Sequence, residues 1–381
     1  MNTASRPDGV RHARRGVWAL AASLAALVAV LLASFPGAHA HSHALHCDMP
    51  NGRGPDGSPA VLSPTSAVDP APPAAGVTTI AMLPDVQYYT ECRSPLLAAQ
   101  VNWLAAQSVK RNVRVAAFMG DLTEHDTEPE WSFFHDQVAP AAGRVPLVLT
   151  TGNHDLGYGG TTHERHTLLT DFFPQPPGRA RALLAERGDS GGIANAYYRI
   201  PLPKVTLGVL ALEWAPRAST VAWANEVLDR HPGDRVIIVT HAYLYYDSTR
   251  YDWQARGKDQ LWNPNSYGMA TWENWIDREH DGEMLWNQLV RRHAGVFLVL
   301  CGHVGGTGHG LLASRGDSGN LVQQVLANFQ DLDEGGLGYL RLFEIQPDGR
   351  SMRMKTYSPS LAVFAIGDGQ QAELPIEPAL W

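Results

Sequence analysis

Residues 113–126 read VRVAAFMGDLTEHD, and the way this stretch is parsed decides the fold of the whole chain. The run from Val113 to Met119 is almost wholly apolar and β-branched at its start, the pattern of a strand buried on both faces. It stops at Gly120-Asp121, where the glycine permits a turn and keeps space open beside the carboxylate. The question this raises is whether other strands of the chain also end in chemically useful side chains.

Working outward, residues 77–87 (VTTIAMLPDVQ) form a second such strand that ends in Asp85 and Gln87. Between the two lies an amphipathic helix from Ser94, its N-cap, through Pro95 at the first helical position. Downstream, EPEWSFFHDQVAPA (128–141) reads as a helix and VPLVLTTGNHD (145–155) as a strand ending in Asn153-His154-Asp155. This βαβαβ run predicts a parallel sheet. Farther on, 196–214 reads as a hairpin and 219–231 as a helix capped by Ser219. Strands at 235–241 and 295–303 end in His241 and His303, with a helix at 282–293 between them. The stretches 320–329, 338–345 and 350–358 alternate at period two and read as antiparallel strands, so the fold is mixed α/β.

Five strands therefore end in metal-ligating residue types at the edge where α/β sheets build their sites. One aspartate at a strand end is usually a turn former, and one histidine a satisfied polar residue. Five in sequence order are hard to ascribe to chance. Oxygen and imidazole donors from separate strands suit Zn, Fe or Mn rather than a thiolate site.

The ordered set, with GD at 120–121, GNHD at 152–155, His241 and GH at 302–303, resembles the calcineurin-like metallophosphoesterases, over roughly residues 78–305. The resemblance extends to a bacterial branch with D-x-Q in place of D-x-H, for VLANFQ and TYSPSL are similar to its C-terminal part. It implies a two-sheet β-sandwich flanked by helices in four layers, and a phosphoric ester hydrolase with two divalent metal ions (Zn, Fe or Mn). Carried over by position, Asp121 bridges the ions, Asn153, His241 and His303 complete one site, and Asp85 with Gln87 serves the other. His154 becomes the acid at the leaving oxygen, with Asp155 orienting it. The implied activity is hydrolysis of a phosphate mono- or diester by metal-activated hydroxide.

Three positions leave the family pattern. Gln87 replaces the histidine of D-x-H, Glu124 the last aspartate of GD-x-x-D, and Gly305 the second histidine of GH-x-H. The Asp85/Gln87 site is thereby thinned, which favours a harder ion such as Mn, an ion held only with substrate, or none. His309 is a substitute within reach along the chain, though a loop histidine facing solvent is the plainer reading. Among other candidates, Arg165 is the first to consider as a phosphate clamp. The aromatic-rich insertion 242–280 reads either as a wall beside the site or, more plainly, as a satellite core.

Composition narrows the rest. The 381 residues are 44% hydrophobic and carry 30 Lys+Arg against 38 Asp+Glu, a net charge of −8. Removal of residues 1–40 takes away Arg6, Arg11, Arg14, Arg15 and Asp8, a net +3, and leaves about −11. Duplex nucleic acid is thus an unsuited partner; a phosphorylated small molecule or nucleotide-like substrate is the expected one. Residues 1–40 have a basic start, a long apolar run and an A-x-A site, the features of a signal peptide, so the protein is expected to be secreted or periplasmic. Membrane contact is then expected only through an uncleaved N-terminal segment. Residues 41–77 read as a Pro/Gly/Ser-rich tether, 78–360 as the catalytic domain and 361–381 as a C-terminal tail. Cys47 and Cys92 lie in polar segments and are candidates for a disulfide in an oxidising compartment, a pairing that sequence does not fix, whereas Cys301 reads as a buried thiol. The rival reading is a non-catalytic metal-binding envelope or adhesion protein that retains one site; the His154-Asp155 pair argues against it, since a binding module has no use for a leaving-group acid.

Overall fold

The computed structural model describes residues 63–64, 71–188, 192–272 and 277–381. The expected signal peptide and most of the expected tether lie outside the described residues, as does Cys47, so its pairing with Cys92 is not described. No helix among the described residues is long and apolar enough to cross a membrane.

Two sheets form the centre. One runs Ser63–Pro64 (β1), Val363–Ile366 (β14), Ser351–Ser358 (β13), Leu340–Ile345 (β12), Thr78–Leu83 (β2), Val113–Phe118 (β3) and Leu147–Val148 (β4), with Gln371–Pro375 (β15) also paired to β13. The other runs His309–Arg315 (β10), Leu321–Ala327 (β11), Val296–Cys301 (β9), Arg235–Val239 (β8), Thr206–Ala211 (β7), Ala196–Pro201 (β6) and Leu184–Arg187 (β5). Pairing is parallel through β2, β3 and β4, and again through β7, β8, β9 and β11.

Side-chain alternation along each strand builds the layers. Ile80 and Met82 of β2 and Val115 and Ala117 of β3 face inward onto Val209, Ile237, Leu298 and Leu300 of the opposite sheet. Ala81, Leu83, Ala116 and Phe118 face outward and are covered by Leu97, Val101, Trp131 and Phe134 of two helices, Pro95–Gln107 and Glu128–Ala142. On the far side Leu210, Val236 and Ile238 are covered by Val221, Ala224 and Val227 of helix Ala218–Arg230 and by Tyr243 and Tyr251 of the insertion. The result is the expected sandwich with helices on both faces. Strands so fully buried read as continuous apolar runs because neither face meets water.

Local signals in the sequence account for the helix ends. Ser94 accepts a hydrogen bond from the Leu96 amide. Thr127 and Glu130 form a reciprocal capping box at the second helix. Ser219 is not a cap: the third helix starts at Ala218, and the Asp277 carboxylate accepts from both the amide and the hydroxyl of Ser219 at 2.7 Å. A remote residue thus caps this helix, which no local pattern reveals.

Two other expectations change. The segment 361–381 is not a tail, since β14 and β15 both pair with β13 and extend the first sheet. Strand β11, expected to be antiparallel, is antiparallel to β10 but parallel to β9. Its C-terminal end therefore emerges on the same edge as the ends of β8 and β9.

Candidate metal centre

Asp85, Asp121, Asn153, His241 and His303 all follow strands and are all buried. The ligand atoms of Asp121, His241 and His303 lie within 4.8 Å of one another. His241 donates its Nδ1 hydrogen to the Met119 carbonyl at 2.8 Å, which leaves Nε2 facing Asp121 Oδ2 at 3.1 Å. His303 has the opposite arrangement, with Nε2 bonded to the Trp262 carbonyl at 2.8 Å and Nδ1 left over. Carbonyls that fix the tautomer and ring orientation in this way are typical supports of metal-binding histidines. The backbone N–H of His303 donates to Asp85 Oδ2 at 2.8 Å, which joins the two sheets at the site.

Close approach explains the glycines of the motifs. A Cβ at Gly152 would lie 2.0 Å from Asp121 Oδ1, and one at Gly302 would lie 2.0 Å from Asp85 Oδ1. Each glycine thus clears room for a carboxylate from another strand. Asp121 and His303 hold left-handed backbone angles, φ of 48° and 80°. Such strain costs about 1–3 kcal/mol per residue and persists where surrounding structure enforces it, typically at functional sites.

The donor set fits a divalent cation. Among the described residues, Asp85 Oδ1, Gln87 Oε1 and Asn153 Oδ1 are buried without a hydrogen-bond partner. Buried groups left in that condition each cost about 1–3 kcal/mol, so their gathering on one sheet edge calls for a ligand. The electrostatics agree. Burial pushes the Asp85 carboxyl up to about 7 against the pull of His241. Burial alone would also raise Asp121, but the charges of His241 and His154 outweigh it and hold that carboxyl well below its usual range. His241 is raised to about 9, because Asp121 and Asp85 overcome the effect of burial. Burial and the neighbouring His241 hold His303 down at about 3. Two buried carboxyls, Asp85 and Asp121, set among neutral oxygens and imidazoles form a site of the kind that attracts cations.

His154 sits at the rim with 31% of its side chain exposed. Its amide donates to Asp121 Oδ1 at 3.0 Å, and Nδ1 lies 3.1 Å from the Glu124 carbonyl and 3.4 Å from Glu124 Oε2. The carboxylate beside His154 is therefore Glu124, and the expected orienting role of Asp155 needs correction. Asp155 Oδ1 accepts from the Leu122 and Thr123 amides and the Thr123 hydroxyl, and Oδ2 accepts from the Gly152 amide at 2.8 Å. With both oxygens occupied, Asp155 clamps the loop of Asp121 to the loop of Asn153. Spacing along the chain hid this, because the four donors come from two loops.

Arg165 likewise is not positioned as a phosphate clamp. Its guanidinium donates to the Trp214 and Ala215 carbonyls and pairs with Glu279 at 3.2 Å and Glu213 at 3.5 Å. These contacts tie its loop to the domain. His309 starts β10, bonds the Thr307 carbonyl and packs against Gly369, away from the cluster. The aromatic insertion forms mainly a core, with Tyr243, Tyr245 and Tyr251 buried, while Trp275 lies outside the described residues. It also meets the site: the Tyr251 and Tyr267 rings lie 6.0 Å from that of His303, which in turn stands 4.8 Å from Trp214. Trp214 supports the site but carries no motif, so sequence reading passed over it, whereas Trp262, whose carbonyl holds His303, belongs to the aromatic-rich insertion.

Residues 79–311 match the family model for calcineurin-like phosphoesterases, and the chain belongs to that family. An uncharacterized Bacillus subtilis (strain 168) protein, YvnB, is 24% identical over 306 residues, 76% of this chain but only 20% of its own length. Among solved structures, a purple acid phosphatase from yellow lupin is similar at 14% identity and a TM-score of 0.45, over 80% of this chain and 55% of that one. A 5'-nucleotidase precursor from Thermus thermophilus is similar at 14% identity and a TM-score of 0.40, over 78% of this chain and 55% of that one. The chain thus spans about half the length of these solved relatives.

Proposed function

We propose that this protein is an exported phosphoesterase that hydrolyses a phosphate mono- or diester with two divalent ions. The observation that carries the reading is the buried meeting of Asp121 with His241 and His303, beside orphaned donors of Asp85, Gln87 and Asn153. One ion is assigned to Asp121, Asn153, His241 and His303, and the other to Asp85, Gln87 and Asp121. When bound, a pair of such ions would lower the pKa of water toward neutrality and offset the charge of a transferring phosphoryl group.

The chain's own residues have distinct tasks. Asp121, whose carboxylate stays ionised, supplies the shared negative charge, and Asn153 adds a neutral oxygen. His154 holds its proton above the usual imidazole range, because Asp121 and Glu124 outweigh the opposing effect of burial. With Nδ1 turned to Glu124, Nε2 is the nitrogen left to protonate a departing alkoxide. Asp155 is a positioning residue that keeps the Asp121 and Asn153 loops in register. Export is supported by the N-terminal sequence alone.

Replacing His154 by alanine tests the assignment. The expected result is a fall of about 100- to 10,000-fold in hydrolysis of an alkyl ester, which needs its leaving oxygen protonated. An aryl ester with an acidic leaving group should lose much less. Unchanged turnover of both esters at unchanged metal content would remove His154 from the mechanism.

A further inference from the structure

We propose that Asp331 supplies the ligand that Gly305 lacks, completing an all-oxygen site with Asp85, Gln87 and Asp121 that is selective for a hard divalent cation such as Mn2+. The proposal rests on the two-ion reading above and adds a missing ligand and the class of its ion.

Topology is the first argument. Because β11 runs parallel to β9, the residues that follow it, Asn328-Phe329-Gln330-Asp331, arrive at the edge where the other ligands gather. Asn328 pins this segment to the site: its Nδ2 donates to the His303 carbonyl at 2.9 Å, and its Oδ1 accepts from the Gln330 amide at 2.9 Å.

Space is the second. A Cβ on residue 305 would lie 1.8 Å from Asp331 Oδ2, so a carboxylate occupies the place where the family's second histidine leaves the backbone. Gly305 is not among the glycines at positive φ, so room, and not backbone freedom, is what this glycine provides. The Gly306 amide donates to the same oxygen at 3.2 Å and holds the carboxylate there.

The third is the orientation of Gln87. Its Nε2 faces Gln330 Oε1 and lies 3.4 Å from Asp121 Oδ2. A carboxylate only accepts, so the amide nitrogen must face it, and Oε1 is turned elsewhere. That oxygen is buried and unpartnered, and so is Asp85 Oδ1; the two residues are 0% and 3% exposed. Gln330 thus acts as a positioning residue for Gln87. An oxygen-only donor set suits Mn2+, Mg2+ or Ca2+, while the imidazole pair of the neighbouring site suits Zn2+ or Fe.

The test uses the chain stripped with a chelator, then titrated with Mn2+ while free Mn2+ is followed by electron paramagnetic resonance, with bound metal counted by elemental analysis. Wild type is expected to bind two ions. Asp331→Asn and Asp331→Ala should keep one and weaken the other by more than about 100-fold, beyond the effect of losing an outer-shell partner. Gln330→Ala, which removes such a partner, should weaken the same ion by about 10- to 100-fold. Gly305→His combined with Asp331→Gly should restore the second ion but shift its preference from Mn2+ to Zn2+. Asp331→Asn keeps the side-chain shape, so it carries the measurement if the alanine variant does not fold. Two Mn2+ bound as tightly by both Asp331 variants as by wild type would overturn the proposal and leave the two-ion reading intact. A wild-type chain that binds a single ion would overturn both.

Discussion

Asp155→Asn separates the structural role of this residue from the orienting role that the motif suggests. An asparagine that keeps its oxygen toward Leu122 and Thr123 must turn its NH2 onto the Gly152 amide, where Oδ2 now accepts at 2.8 Å. A buried hydrogen bond to a charged acceptor is worth about 1.5–3 kcal/mol, and each stranded donor costs about 1–3 kcal/mol more. A loss of about 3 kcal/mol is thus a conservative expectation. At about 2.1 cal/mol/K of unfolding entropy per residue, a domain of about 300 residues shifts by about 1.6 °C per kcal/mol, so Tm should drop by about 5 °C. Thermal unfolding of the metal-loaded variant is best measured at pH 8, because burial and the nearby Asp121 push the Asp155 carboxyl up to about 7. Metal affinity should weaken as well, since the Asp121 and Asn153 loops lose their clamp. A Tm within about 1 °C of wild type, together with slowed hydrolysis of an alkyl ester, would refute this reasoning and return Asp155 to the side of His154.

Two further outcomes follow from the same geometry. Gly152→Ala should cost at least about 1–3 kcal/mol and abolish tight metal binding, because its methyl group would meet Asp121 Oδ1 at 2.0 Å, whereas Gly233→Ala, with nothing within 4 Å, should be silent; equal melting curves for the two would contradict the packing argument. The chelator-stripped chain should lose stability as pH rises from about 4 to about 9. Asp85, Glu124 and Asp155, raised to about 7 mainly by burial, bind protons in the folded state that the unfolded chain has released, so stability falls as pH climbs to 7. His303, held at about 3, opposes them between about 3 and 6.5, and His241, raised to about 9, continues the fall from 6.5 upward. Added Mn2+ or Zn2+ should flatten this profile; a metal-free Tm that rises across the range would contradict the charge assignment.

Much of this was legible in the sequence because strands buried on both faces announce themselves as apolar runs, and because ligands that follow those strands inherit their order. Asp85, Asp121, Asn153, His241 and His303 could be picked out in this way; the runs themselves gave a mixed α/β fold, and the sandwich of two helix-covered sheets came only with the family resemblance. Residues whose partners lie far along the chain were not legible. Asp155 looked like the neighbour of His154, yet its four donors come from two loops. Arg165 looked available to a substrate, yet Glu213 and Glu279 are 48 and 114 positions away in sequence.

The clearest division falls at Gly305. Sequence alone established that the family's ligand is missing there and is replaced by an amide at Gln87, since side-chain chemistry is written in the residue type. Only the tertiary structure decided what stands in the gap. Period-two alternation says that a strand exists but not which neighbour it pairs with, so the direction of β11 was invisible in the sequence. Its parallel pairing with β9 is what carries Gln330 to Gln87 and Asp331 to Gly305.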